Sequence, residues 1–165
     1  MVGAAKSASP GAARPLRKQR LRLWIRLLLA RQVIEAELRK RLRDQFDMTL
    51  PQFDVMAALD RHPDGMTMTA LSQALMVSNG NVTGIIDRLL AKQYVARDNA
   101  AGDRRRFIVQ LTSEGRAQFS AVAAMHESWV DELLTHVEME SAERTSARFD
   151  KLARTPPAPD SRPPR

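Results

Sequence analysis

Two hydrophobic periods alternate along this chain, and each change of period marks an element. Between Thr69 and Lys92 (TALSQALMVSNGNVTGIIDRLLAK) apolar residues recur three and four apart. Ala70, Leu71, Ala74 and Leu75 form one stripe; Val82, Ile85, Ile86, Leu89 and Leu90 form a second. This spacing predicts two short amphipathic helices joined by a tight turn. Ser78 stands where a side-chain oxygen caps the free N–H groups of the second helix. The polar face of that helix holds Asn79, Gly80, Asn81, Thr83 and Gly84, with no large side chain. Each glycine costs a helix roughly 1 kcal/mol relative to alanine. A face turned only to water normally holds Glu, Lys or Gln instead. Small, hydrogen-bonding residues at a helix N-terminus suit close approach to another surface, as a recognition helix makes in a DNA major groove.

Upstream, Leu23, Leu27, Ala30, Ile34, Leu38 and Leu42 make one stripe of a long helix from Arg17 to Gln45, widened near its start by Leu21, Trp24, Ile25 and Leu28. Such a broad apolar surface needs more than one partner, and dimerisation is one way to cover it. Phe46 to Leu50 breaks the pattern. Pro51 suits the first residue of a new helix, with Thr49 as its cap and Phe53, Met56, Ala57 and Leu59 facing a core. Pro63-Asp64-Gly65 is a turn, and Met66-Thr67-Met68 a short extended piece.

After Lys92 the period falls to two. Tyr94 to Arg97 reads as a strand, and Phe107 to Leu111 as its returning partner. The hairpin between them (98–106) ends in Arg104, Arg105 and Arg106. A β-hairpin directly after a helix-turn-helix is a wing. Thr112 can cap the next helix, whose stripe is Phe119, Val122, Ala123, His126, Val130, Leu133, Leu134 and Val137. A closing helix runs from about Ser141 to Ala153. The expected fold is mainly α with a small β-hairpin wing. Residues 1–16, basic and without periodicity, read as a disordered tail, and 155–165 as a proline-rich one.

Composition narrows the chemistry. The 165 residues include no cysteine, which excludes disulfides, thiolate metal sites and a cysteine nucleophile. No segment reaches the ~18 uninterrupted apolar residues of a membrane span. Leu23 to Ala30 follows a basic start, but Arg26 interrupts it and no cleavage site follows, so it reads as helix. The expected setting is the cytoplasm, with no membrane partner. His62, His126 and His136 are scattered and no glycine-rich phosphate loop follows a strand, so no enzyme, metal site or cofactor is expected. His126 on an apolar stripe is by default a core histidine.

The net charge of +7 invites a nucleic-acid partner, but it is unevenly spread. Residues 1–43 hold twelve Lys/Arg against two Glu, whereas Glu127 to Glu143 holds six acidic residues and no Lys or Arg. These stretches can attract each other within one chain or across a dimer, or can simply be solvated faces. The helix-turn-helix itself is nearly neutral. On it, Asn79, Asn81 and Thr83 are the candidates for base edges, since Asn pairs bidentately with adenine and the Thr methyl meets the thymine methyl. Ser78 and the first N–H groups suit a phosphate. The plainer reading makes them caps and exposed polar residues. Arg97 and Lys92 add positive charge nearby. Arg88 either meets phosphate or pairs with Asp87 or Asp103. Strand alternation keeps Arg104, Arg105 and Arg106 from sharing one role.

Asp103-Arg104-Arg105, followed by Val109-Gln110-Leu111-Thr112-Ser113-Glu114-Gly115, resembles the wing-and-exit signature of the MarR family of bacterial transcription regulators. Leu71-Ser72 and Val82-Thr83 through Asp87-Arg88-Leu89 are similar to that family's helix-turn-helix. The resemblance covers roughly residues 20–153. It implies one domain over 17–154: a winged helix at about 50–112, flanked by dimerisation helices at about 17–45 and 113–153. It further implies a homodimer on a pseudo-palindromic double-stranded DNA operator, acting mostly as a repressor. One wing arginine, by the family pattern Arg105, reaches the minor groove; Asp103 and another arginine brace the wing, and Arg104 or Arg106 meets phosphate. Many members release DNA on binding a small aromatic or anionic ligand. Leu75 through Gly84, with Arg22-Leu23-Trp24 upstream, is similar to a branch that answers to hydroxycinnamoyl-CoA thioesters. On that likeness the first-helix arginines Arg22, Arg26, Arg31 and Arg39 would meet the phosphates of the thioester, and the family's ligand pocket would draw Trp24, Met125, His126 and Trp129 together; Arg22, Trp24, Arg26, Arg31, His126 and Trp129 are the candidate ligand residues. The competing readings are a winged helix that binds protein, and a regulator with no small-molecule effector.

Overall fold

The computed structural model describes residues 10–100 and 103–154. Among these the order is α1 (Pro10–Phe46), α2 (Leu50–Asp60), β1 (Met66–Thr67), α3 (Met68–Leu75), α4 (Asn79–Ala91), β2 (Val95–Ala100), β3 (Asp103–Leu111), α5 (Ser113–Leu133) and α6 (Met139–Arg154). The fold is mainly helical with a small antiparallel sheet, as the periodicity predicts.

Three boundaries differ from the sequence reading. α1 starts at Pro10, so part of the tail expected to be disordered is helical. Proline suits that first position because its missing N–H costs no helical hydrogen bond. The hairpin arms extend through most of what reads as loop, because pairing continues from Arg97↔Val109 through Asp98↔Ile108 to Asn99↔Phe107, with an irregularity at Asn99/Ala100. α5 ends at Leu133, which leaves Leu134 and Val137 beyond the helix and exposed. Residues 1–9 and 155–165, the outer parts of the two expected tails, lie outside the described residues.

Two compact units make up the chain, Met1–Glu127 and Ser128–Arg165, with the boundary inside α5. The first unit holds the winged helix. Its core gathers Leu38 and Leu42 of α1, Val55, Met56 and Leu59 of α2, Leu71 of α3, and Val82, Ile86 and Leu89 of α4. Val95, Val109 and Leu111 from the sheet and Val122 from α5 are also buried. Leu23 and Trp24, near the start of α1, are more than half exposed. The sheet order is β1-β3-β2. β1 is the short extended piece after the Gly65 turn, registered as Met66↔Val109. In the second unit Trp129 is buried at 4% exposure.

Local chemistry fixes the joints. Thr49 caps α2 through a reciprocal capping box with Gln52, whose side chain accepts from the Thr49 N–H at 2.8 Å. Thr112 accepts from the Gly115 N–H at 2.9 Å and donates to the Gln93 carbonyl at 2.8 Å. Gly115 is obligatory there: a Cβ would stand 1.8 Å from the Tyr94 carbonyl oxygen. The Lys92 ammonium meets the Asp47 carboxylate at 2.7 Å and holds the Asp47 carboxyl below the usual carboxylate range. This ties the turn after α4 to the end of α1.

Candidate nucleic-acid interface and adjoining cleft

α3 and α4 meet through a left-handed residue. Met76 (φ 53°) reverses the chain so that its N–H returns to the Gln73 carbonyl at 3.2 Å and the Val77 N–H to the Ser72 carbonyl at 3.1 Å. Ser78 then opens α4, its hydroxyl accepting from the Asn81 N–H at 3.4 Å. That hydroxyl is a cap, as its position predicts. Val82, Ile86 and Leu89 anchor α4 to the core, and everything from Ser78 to Asn81, with Thr83, Gly84, Asp87 and Arg88, is exposed.

The exposed side of α4 divides into two rows. Asn79, Thr83 and Asp87 stand one turn apart on the first. The Thr83 hydroxyl donates to the Asn79 carbonyl at 3.0 Å, which fixes its rotamer and leaves its methyl and lone pairs outward. Among the described residues the Asn79 and Asn81 side-chain amides make no hydrogen bond, so all their donors and acceptors are available.

The second row is Gly80, Asn81, Gly84, Ile85 and Arg88. It forms one wall of an open cleft of about 530 Å³. Arg39 and Arg43 of α1 stand on the opposite side, with Thr49, Leu50, Pro51 and Val77 completing it. Leu50, Pro51, Val77 and Ile85 make its surface apolar. Arg39 gives one nitrogen to Glu35 at 2.7 Å. Among the described residues Arg43 and Arg88 form no ion pair; Arg88 does not pair with Asp87 as one sequence reading holds. An apolar lining with convergent guanidinium groups suits a flat organic anion. Sequence reasoning missed this cleft. Its signals were Arg39/Arg43 and Gly80/Gly84/Arg88, each four apart, but nothing in the sequence says that these two rows face each other.

On the wing, the Arg97 guanidinium lies 4.0 Å over the Phe107 ring. The side chains of Asp103, Arg104, Arg105 and Arg106 lie outside the described residues, so the roles expected for them are not placed.

Five of the six candidate ligand residues lie in the first unit, and among the described residues no hydrogen bond, ion pair or ring contact joins these five to one another; Trp129 lies in the second. Arg22, Trp24 and Arg26 stand exposed on the first half of α1. Arg31 is 2.8 Å from Glu35. His126 is half-buried and stacked on Phe53, ring centroids 4.4 Å apart. Burial pushes its imidazole below the usual histidine range. Among the described residues, no hydrogen bond or ring contact joins His126 to the α1 group. Within the second half of α1, Arg31 and Arg39 pair with Glu35 and Arg41 with Glu37, each four residues apart. The late acidic stretch is not needed for these arginines.

Comparison with known proteins agrees with this geometry. The MarR family model matches residues 46–106. The HTH-type transcriptional regulator PecS of Dickeya dadantii is 32% identical over 84 residues, 50% of this chain and 51% of PecS, so the chain spans about half the length of that relative. The crystal structure of a MarR family transcriptional regulator from Silicibacter pomeroyi is 32% identical, with a TM-score of 0.70 over 83% of this chain and 94% of that one. A mutant MarR from E. coli, crystallised with operator DNA, shares the fold with a TM-score of 0.71 at 23% identity, over 81% and 95% of the two chains. These proteins are named as regulators, and none as an enzyme.

Proposed function

Because the chain belongs to the MarR family, we propose that it is a DNA-binding transcriptional repressor, cytoplasmic and homodimeric, released from its operator by a small aromatic acid or its acyl-CoA thioester. The observation that carries this is α4. It has a buried back, exposed polar residues of which the Asn79 and Asn81 amides make no hydrogen bond among the described residues, no bulk at Gly80 and Gly84, and a wing directly after it. In this reading Asn79, Asn81 and Thr83 read base edges in the major groove, and Ser78 presents the helix N-terminus to a phosphate. Arg97 holds the backbone beside the wing. Arg105 enters the minor groove, Arg104 or Arg106 meets phosphate, and one arginine braces the wing with Asp103.

The homodimer is supported by α1. Leu21, Leu23, Trp24, Ile25, Leu28, Leu29 and Val33 are all at least two-fifths exposed, an apolar surface that a monomer does not cover. Residues 1–34 hold Lys and Arg but no Asp or Glu, whereas residues 127–143 hold six acidic residues and no Lys or Arg. Two copies bring opposite charges together.

For the effector, the cleft beside α4 combines an apolar lining with Arg43 and Arg88, which form no ion pair among the described residues. A ring fits the first and a carboxylate the second. Arg22, Trp24 and Arg26 remain available for the phosphates of a thioester; Arg31, His126 and Trp129 are engaged or buried.

Titration of a duplex from the chain's own promoter region, against random DNA and over a range of salt, tests the repressor reading. A protein neutralising six to ten phosphates loses roughly 10³–10⁵ in affinity between 50 and 200 mM salt. Equal affinity for promoter and random DNA sinks the reading. Adding aromatic acids, their CoA thioesters and free CoA to the complex then tests the effector. Release by none of them leaves a regulator without this class of ligand.

A further inference from the structure

Phe107 has no evident reason to be where it is. It is an exposed aromatic at 39%, on the wing rather than in the core. The register pairs Asn99 with Phe107 and Arg97 with Val109, which sets Arg97 and Phe107 diagonally on one face of the hairpin. The Arg97 guanidinium lies 4.0 Å above the ring. Among the described residues no carboxylate pairs with Arg97. A guanidinium stacked on a ring spends its flat face there and keeps its N–H edge free. Beside that pair is a groove of about 520 Å³, walled on the far side by Thr69 and Gln73 of α3. Both offer further hydrogen-bonding groups.

We infer that Phe107 is a positioning residue for DNA binding: it holds the Arg97 guanidinium over the groove between α3 and the wing, where it meets a backbone phosphate. The inference rests on the DNA-binding reading above. An unstacked surface arginine samples many rotamers and must be ordered as it binds. Stacking on Phe107 orders it beforehand. The phosphate contact carries no sequence information, so it acts equally on operator and random DNA.

The test is a double-mutant cycle on the full chain with a random-sequence duplex, read by fluorescence anisotropy over several salt concentrations. The variants are Arg97→Ala, Phe107→Leu, the two combined, and Phe107→Tyr. Phe107→Leu weakens binding about two- to fivefold, the range of an exposed cation–π pair. Phe107→Tyr keeps the ring and binds as wild type. Arg97→Ala lowers the salt slope by about 0.9, and adding Phe107→Leu to it weakens binding no further. A purely structural Phe107 would give additive losses and a lowered Tm in place of this pattern. Additive losses, or failure of the tyrosine to restore binding, overturn the inference. If the leucine variant does not fold, Phe107→Ile, which suits a strand, takes its place in the cycle. A wild-type chain that binds no duplex at all sinks the DNA-binding reading itself. A wild type that binds, with an additive cycle, sinks only the role of Phe107.

Discussion

Replacing Gly84 with alanine should raise stability and lower function in the same molecule. Gly84 lies inside α4, and a Cβ built on it meets nothing within 4 Å. The substitution therefore incurs no steric cost in the free protein. It removes the excess conformational freedom of glycine, a gain of about 0.5–1 kcal/mol. For a chain of this size that corresponds to about 1–4 °C in Tm. If another molecule approaches Gly84 to van der Waals distance, the added methyl overlaps it. Overpacking of that kind costs about 1–3 kcal/mol, or roughly 5- to 150-fold in Kd. Thermal unfolding followed by circular dichroism gives the first quantity, and anisotropy titrations with a labelled operator and with the effector give the second. Because Gly84 lines the cleft, effector affinity is expected to fall the more. A higher Tm with both affinities unchanged would refute the reasoning, since the helix would then carry a costly glycine for no approach at all. A lower Tm would show that the site is not the open, unstrained helix position described.

Asn81→Ala should cost roughly 1–3 kcal/mol in operator affinity and relax base preference at one position, read by titrating a set of single-site operator variants. Gly115→Ala drives a methyl into the Tyr94 carbonyl; a loss on the order of 3 kcal/mol is expected in chemical unfolding. Thr49→Ala removes the capping box of α2 and should cost about 1 kcal/mol in the same assay. The folded-state pKa of His126 lies below its ordinary value of 6.5 because burial disfavours the imidazolium. Its contribution to stability is therefore complete above that value and is lost as pH falls through it toward the folded pKa. Unfolding measured at a series of pH values should show this loss in the wild type and a flatter profile in His126→Phe.

The elements were legible because their signals are local. The three- and four-residue spacing from Ala70 to Leu90 placed α3 and α4 to within a residue or two, and Thr49, Ser78 and Thr112 marked helix starts that their hydroxyls do cap. The extent of the wing was harder to read. Asp98 and Asn99 are poor strand formers, yet they are strand because the register across to Ile108 and Phe107 carries them. Long-range facts were not legible at all. Leu50 and Pro51 read simply as a helix start, and only the fold sets them opposite Gly80 and Gly84. Phe107 read as one of an alternating strand set; its partner Arg97 is diagonal to it on another strand, which no linear pattern reveals. The Arg31–Glu35 pair, by contrast, is local, and its four-residue spacing was there to be read.

The glycine-rich face of α4 bears on a further step. The sequence presents Asn79, Gly80, Asn81, Thr83 and Gly84 as one small-residue face, whereas the structure divides them between an outward row and a cleft wall. Asn81 stands at the border: it lines the cleft, and in the proposed function it also reads a base. A ligand in that cleft then needs no long relay to affect DNA binding, because it competes for the same side chain and the same helix turn. Each 1.4 kcal/mol by which it prefers the DNA-free arrangement of that turn weakens operator binding tenfold, and bound DNA weakens the ligand by the same factor. Arg88, on the same wall, can contribute to either partner but cannot meet both anions with one fork. On this reading the glycines serve two close approaches on one helix, and the near-neutral charge of α4 leaves the electrostatics of DNA binding to Arg97 and the wing.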